Sequence, residues 1–244
     1  FNNGAIGTVT AATTTSLTIN FTRRPTSSGS LTAVVTTNGA ASGTPTQVAT
    51  VTPVVRETAT TLGINSPTVF VNGFGFGTDA AGNQVVLGNG AVGTVTVATP
   101  TRLTVTLSTP PTALGPITAV VTSNSVSSGA PVEVATVSPA VTNSTASLPF
   151  TANTLTINGA GFSTTAADNT VVFSNGAVGT VASATATSLV VNFSVRPTAG
   201  NLTAVVTTNG FSSGTPVQVR TLTPIITSAT TDLAANATTV IING

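Results

Sequence analysis

NGAIGTVT, at Asn3–Thr10, returns as NGAVGTVT at Asn89–Thr96 and as NGAVGTVA at Asn175–Ala182. The leading asparagines, Asn3, Asn89 and Asn175, define a step of 86 residues. Two further blocks keep the same step. LTAVVTTNG at Leu31–Gly39 returns as ITAVVTSNS at Ile117–Ser125 and as LTAVVTTNG at Leu202–Gly210. QVATVTP at Gln47–Pro53 returns as EVATVSP, ending at Pro139, and as QVRTLTP, ending at Pro224. The last step is 85, because one residue is lost between Pro197 and Leu202. Self-similarity at a long fixed period marks an array of equal folding units. It overrides the one or two domains that 244 residues alone would suggest. It also gives a rule for function: a residue that does not recur is a poor candidate for what the array was multiplied to do.

The unit at Pro53–Ser138 reads as a series of short strands. Val69 and Val71, and their copies Leu155 and Ile157, alternate with polar neighbours such as Thr154, Thr156 and Asn158. That is the period of a half-buried strand. Asn72–Asn83 (NGFGFGTDAAGN) is dense in turn residues. Gln84–Leu87 and Ala91–Val97 follow. Leu103, Val105 and Leu107 alternate with threonines, and their copies are Leu17, Ile19, Phe21 and Leu189, Val191, Phe193. Ile117, Ala119 and Val121 form another inward row, and Val132 and Val134 the last. With Val54–Glu57 at the start, the unit has about seven strands and no helical period. The predicted fold is all-β: tandem Ig-like β-sandwich domains. The competing all-β array, a solenoid, uses much shorter coils. The predicted domains are a partial repeat at 1–52, complete repeats at 53–138 and 139–223, and the opening strands of another at 224–244.

Each unit opens with Pro and an apolar strand, followed by a strand ending in N-G-x-G-F at Asn72–Phe76 and Asn158–Phe162. A polar loop then leads into N-x-V-V-F/L at Asn83–Leu87 and Asn169–Phe173. This pattern resembles the IPT/TIG domain, an Ig-like fold of the early-set type, along the entire chain. Near-identical tandem copies resemble the repeat regions of very large bacterial surface and extracellular proteins. The family occurs in cell-surface receptors, adhesins, glycan-degrading enzymes and some transcription factors, so the resemblance implies a fold more sharply than a function.

Composition narrows the chemistry. Charged residues are 5% of the chain, against about 25% in an ordinary soluble domain. There is no Lys, His, Cys, Met, Trp or Tyr. Without Cys there is neither a disulfide nor a thiolate metal site. Without Lys there is no Lys–Asn isopeptide brace and no lysine-linked polymer. The sequence pI of 9.4 rests on a net charge of +1, and six scattered arginines do not form a phosphate-binding patch. No run of 18 apolar residues could span a membrane. The chain opens at Phe1 in mid-repeat, and Val240–Gly244 (VIING) matches Leu155–Gly159 (LTING). The expectation is a parent chain continuing in both directions.

Recurrence tests each remaining candidate. The only carboxylates are Glu57, Asp79, Glu133, Asp168 and Asp232. Asp79 aligns with Thr165, Asp168 with Gly82, Glu133 with Gln218 and Gln47, and Glu57 with Asn143. No carboxylate recurs, so neither a general acid–base pair nor a calcium site is expected. Gly73–Gly77 and Gly159–Gly161 lack the following helix that a phosphate loop needs. They read as structural turns: Gly73, Gly75, Gly159 and Gly161 let the chain bend, and Phe76 and Phe162 plug the sandwich. Arg56, Arg102 and Arg220 align with Thr142, Ser188 and Ala135. Arg24 and Arg196 align with each other, but Pro110 stands between them. Sequons at Asn20, Asn143, Asn192, Asn201 and Asn236 are near the number chance gives in so Ser/Thr-rich a chain.

The expected protein is therefore not an enzyme and uses no cofactor. It reads as a structural segment of an extracellular or cell-surface fibre, stalk or adhesin shaft. The units meet without a linker at Pro53, Pro139 and Pro224, which predicts a semi-rigid rod advancing roughly 35–45 Å per unit. The expected partner is the protein itself, as neighbouring repeats or subunits, with no nucleic acid and no membrane insertion in this segment. The alternative is a glycan- or protein-binding surface module, for which Phe74 and Phe211 are the candidate aromatic contacts.

Overall fold

The computed structural model describes residues 1–228 and 232–244. The chain separates into two compact units, Phe1–Val137 and Ser138–Gly244. The first unit opens with the partial repeat: β1 (Ile6–Ala12), β2 (Leu17–Arg23), β3 (Gly29–Ala33), β4 (Thr36–Thr37), β5 (Ala40–Ala41) and β6 (Thr46–Val51). These pair antiparallel as β1–β2, β3–β6 and β4–β5.

The complete second repeat follows as β7 (Val54–Val55), β8 (Thr61–Gly63), β9 (Thr68–Phe74), β10 (Asn83–Leu87), β11 (Val92–Thr99), β12 (Arg102–Thr109), β13 (Gly115–Ser123), β14 (Val126–Ser127) and β15 (Val132–Ser138). One sheet has the order β11-β12-β9-β7. The other has the order β10-β13-β15-β8, with β14 paired to β13. The first, second, fifth and fourth strands thus share one sheet, and the third, sixth and seventh share the other. That is the Ig-like sandwich, with the opening strand divided between both sheets.

Period-two patterning builds its core. Val69 and Val71 of β9 stand opposite Val105 and Leu103 of β12, and all four are buried. Facing them are Ile117, Ala119 and Val121 of β13 with Val134 and Val137 of β15. Full burial of one such aliphatic side chain stabilises by about 1.5–3 kcal/mol. The intervening threonines face outward and cover the sheets.

The structure refines the strand boundaries. The opening strand ends at Val55 rather than Glu57, because the chain then crosses to the other sheet as β8. This three-residue strand has no counterpart in the sequence reading. Its one inward apolar side chain, Leu62, gives no periodic signal, and backbone pairing beside β15 holds it. Phe70 lies on the outward face of β9.

The second unit contains the third repeat: β16 (Ala140–Val141), β17 (Ser147–Pro149), β18 (Thr154–Ala160), β19 (Asn169–Phe173), β20 (Val178–Thr185), β21 (Ser188–Val195), β22 (Gly200–Thr208), β23 (Phe211–Ser212) and β24 (Val217–Thr223). Its sheets are β16-β18-β21-β20 and β17-β24-β22-β19, the same order again. β17 runs parallel to β24. Leu155, Ile157, Leu189, Val191, Leu202 and Val206 form the core. The hairpins after β13 and β22 turn on Asn124–Ser125 and Asn209–Gly210, with every one of these residues at positive φ. Two left-handed residues in a two-residue loop match the twist of the flanking strands.

Candidate functional site

The recurring loop cluster sits where β9 and β18 end. Gly73 and Gly159 have no room for a side chain: a Cβ on Gly73 would overlap the Val54 carbonyl oxygen and the Phe76 ring. On Gly159 it would meet the Ala140 carbonyl oxygen and the Phe162 ring. Gly75 and Gly161 need glycine for a different reason, φ of 75° and 76°. The turn they form drives Phe76 and Phe162 into the core, where both are buried.

A buried asparagine ties down the loop that follows. Asn83 Nδ2 donates to the carbonyls of Gly77 (2.9 Å) and Asp79 (2.7 Å), and its Oδ1 accepts from Gly77 N (3.2 Å). Asn169 repeats the pattern with Ser163 O (2.9 Å), Thr165 O (3.0 Å) and Ser163 N (3.2 Å). The last hydroxyl of the adjacent strand joins each network. Ser123 Oγ accepts from Gly77 N at 2.8 Å, and Thr208 Oγ1 donates to Asn169 Oδ1 at 2.8 Å. One amide therefore binds three backbone groups of the turn at once. The sequence motif showed this asparagine but not its task, because its partners are main-chain atoms.

The carboxylates scatter. Asp79 Oδ1 accepts from Ala81 N at 3.1 Å and caps the short helical turn Ala80–Gly82. Asp168 Oδ2 accepts from Ser163 Oγ at 2.9 Å. Glu133 accepts from Thr136 Oγ1 at 2.8 Å. The aligned glutamines bridge the same pair of positions with the direction reversed: Gln47 Nε2 donates to Thr50 Oγ1 at 3.0 Å and Gln218 Nε2 to Thr221 Oγ1 at 3.1 Å. At this position the hydrogen bond recurs and the charge does not. Glu57 and Asp232 are exposed. Among the described residues, no group of three or more His, Cys, Asp or Glu is placed to hold a metal ion. Among the described residues, no helix is long and apolar enough to cross a membrane. All five sequon asparagines are exposed.

The structure brings the turn glycines and phenylalanines together within each repeat. Pro53 and Pro139 are buried and Pro224 is exposed. Within the first unit, the loop preceding β3 reaches the second repeat. Ser28 Oγ donates to Ser123 O at 2.7 Å, Ser28 N donates to Gly75 O at 2.8 Å, and Asn124 Nδ2 donates to Ser28 O at 3.1 Å. This buried latch binds the partial repeat to the glycine turn and the hairpin turn of its neighbour. Nothing in the spacing of Ser28 announces it.

The arginines and aromatics add one surface feature. Arg102 lies over the exposed ring of Phe70, 3.8 Å from its centroid, and Arg56 stands 5.8 Å from Phe74. Phe74 is exposed, as the sequence suggested, and Phe211 is half-buried. Phe70 is the additional outward aromatic. It was hidden in a strand whose other apolar residues point inward. Arg196 bonds Asn153 at 3.0 Å and Arg220 bonds Ser144 at 3.1 Å, so each serves its own repeat.

No family model matches the chain, and no curated protein sequence matches it. Solved structures do. The chain is similar to InvD of Yersinia pseudotuberculosis, at 18% identity over 75% of this chain and 60% of that one, with a TM-score of 0.27. It is similar to SGBP-B from a complex xyloglucan utilization locus in Bacteroides uniformis, at 19% identity over 69% and 49%, with a TM-score of 0.27. It is also similar to the Escherichia coli adhesin FdeC, at 16% identity over 84% and 76%, with a TM-score of 0.26. The chain spans 60% and 49% of the first two structures. The Ig-like assignment rests on the strand order and the core of each repeat.

Proposed function

We propose that this chain is a structural segment of an extracellular or cell-surface shaft, built from IPT/TIG-like repeats in tandem. The supporting observation is what recurs in three dimensions. Glycine turn, buried asparagine, hairpin turn and aliphatic core return in both complete repeats, whereas each carboxylate and each exposed arginine–phenylalanine pair occurs once. The repeats share a mechanical frame and differ in the charged and aromatic residues they expose. Domain limits at 53–138 and 139–223, and a semi-rigid succession of them, belong to this reading.

Single-molecule extension of the chain tests it. Two unfolding events of similar force are expected, each releasing a contour of roughly 30 nm for a repeat of this length. A single event spanning both repeats, or a gradual solenoid-like extension, would remove the reading.

A second reading has its own support. The Arg102 guanidinium stacked on the partly exposed Phe70 ring presents a planar cation with an apolar edge, a surface suited to stacking against a sugar ring or gripping a peptide. It makes this repeat a glycan- or protein-binding module. Selective, saturable binding on a glycan array that Phe70→Ser abolishes would favour it over the shaft.

A further inference from the structure

Four non-recurring residues of the second repeat meet on one face. Phe70, Asn72 and Phe74 point outward from β9, between the buried Val69, Val71 and Gly73. Asn72 stands in register with Arg102 of β12 on one side, and on the other its carbonyl accepts from Arg56 N at 2.8 Å. The two arginines therefore flank Asn72 across the sheet, and the two phenylalanines flank it along the strand. The Arg102 guanidinium carbon lies 3.8 Å from the centre of the Phe70 ring, and that of Arg56 lies 5.8 Å from the centre of Phe74. Both rings are exposed, by 43% and 44%. At the same four positions the third repeat has Thr142, Thr156, Ala160 and Ser188. A chain with six arginines and ten phenylalanines thus gathers two of each on one small patch.

These guanidiniums are uncommitted. Arg23 donates to Gly4 O at 2.7 Å, Arg196 to Asn153 and Arg220 to Ser144. Among the described residues, the side chains of Arg56 and Arg102 have no carboxylate and no hydrogen-bond acceptor, only a ring beside them. Stacking fixes the plane of a guanidinium and leaves the N–H groups at its rim free to take a carboxylate in a bidentate bond. Next to them, where the opening strand passes from β7 to β8, lies a cleft of about 230 Å³ whose lining includes Thr60, Leu62, Phe70, Asn72, Arg102 and Ala135. Its apolar floor and polar lip match the two characters of a sugar ring, a C–H face and a hydroxyl rim.

We propose that this face of the second repeat binds an acidic polysaccharide. Arg102 and Arg56 each take the carboxylate of a uronate residue, and the exposed edges of Phe70 and Phe74 support the sugar rings beside them. The proposal rests on the reading of the second repeat as a glycan-binding module. Side chains four residues apart on one strand stand about 13 Å apart. The two arginines therefore reach separate residues of one polymer, not a single monosaccharide. An acidic peptide fits less well. To bind by strand addition it needs the open edge of β9, and β7 with Arg56 already occupies that edge from Asn72 to Phe74, leaving Thr68–Val71. That is shorter than an ordinary strand of about five or six residues.

Surface plasmon resonance of the full chain over immobilised polygalacturonate, and over the same polymer fully methyl-esterified, tests this. Saturable binding to the acid is expected, about tenfold or more tighter than to the ester and weakened by salt. Arg102→Gln should weaken it about tenfold. Arg102→Lys should lose nearly as much, because an ammonium keeps the charge but has neither a plane to stack nor a fork. Arg23→Gln removes the same charge from the first repeat and should change binding less than about twofold. Arg102 is exposed, so its variants should keep the thermal midpoint of the parent chain. Equal binding to acid and ester would overturn the proposal, and so would no binding to the acid at millimolar sugar. Equal losses from Arg23→Gln and Arg102→Gln would overturn it by reducing the effect to net charge. Polyglutamate bound as tightly as polygalacturonate would overturn it in favour of an acidic peptide. A neutral glycan bound selectively through Phe70 would also overturn it, yet leave the glycan-binding module standing, so the two readings can fail separately.

Discussion

The second repeat sets Leu87 and Leu107 against its core, and the third sets Phe173 and Phe193 at the same two positions, with rings 5.4 Å apart and tilted 57°. The second covers an outward phenylalanine with Arg102, where the third has Thr156 and Ser188. The second caps its short helical turn with Asp79, and the third begins the same turn at Thr165 without a side-chain cap. Beneath these exchanges the backbone devices do not change. Gly73 and Gly159 admit a neighbouring carbonyl, Asn83 and Asn169 fasten the loop, and left-handed pairs turn the hairpins. Side-chain volume and charge are negotiable in this sandwich. Positions that answer to main-chain atoms are not.

If that division is correct, Gly73→Ala and Gly159→Ala should be the most damaging changes. The new methyl meets a carbonyl oxygen that cannot move without detaching the opening strand. A loss of about 3–4 kcal/mol is expected in whichever repeat is altered. Gly161→Val places a β-branched residue at φ of 76° and should cost less, about 1–3 kcal/mol. Hydrogen exchange on the full chain would localise each effect, and a tolerated alanine at 73 would break the comparison.

Asn83→Ala and Asn169→Ala come next. Each removes three hydrogen bonds between a buried amide and the main chain of the loop, at a cost of about 2–3 kcal/mol. The two losses should agree within about 0.5 kcal/mol, because each amide makes the same three main-chain bonds. A large difference in denaturant midpoint shifts would show that Ser123 and Thr208, the one point where the networks differ, carry more than is inferred here.

Exchanging the negotiable positions should matter less. Phe193→Leu gives the third repeat the second repeat's residue and should cost about 1 kcal/mol, part of it the ring–ring contact with Phe173. A double-mutant cycle with Phe173→Leu would separate that contact from simple volume loss. The smallest effect has the opposite sign. Ser125 holds φ of 65° where the aligned residues are Gly39 and Gly210. Ser125→Gly should stabilise the second repeat by about 0.5–1 kcal/mol, readable as a raised thermal midpoint.

The same division explains what the sequence could reveal. Buried strands such as β9, β12, β18 and β21 announce themselves, because every second residue must be apolar. The glycine turn was legible because close approach and positive φ leave few other residues possible. Strand β8 was not, since three residues held by backbone bonds impose no pattern on side chains. Phe70 was not, because its partner Arg102 lies on a neighbouring strand and only the fold brings them together. Ser28 was least legible of all: a serine among many, whose partners lie 95 and 96 residues away.

That latch gives the lost residue a meaning. Gly29, Gly115 and Gly200 share the same backbone state, with φ of 118°, 110° and 114°, and each begins the equivalent strand. The position before them reads Ser28 in the first repeat and Leu114 in the second. In the third it is the residue that shortens the step to 85. A single codon in the gene thus offers a hydroxyl that latches onto the next repeat, a hydrocarbon packed against its own core, or nothing. Duplication can in this way be followed by a change at one position while the glycine that opens the next strand keeps its backbone state.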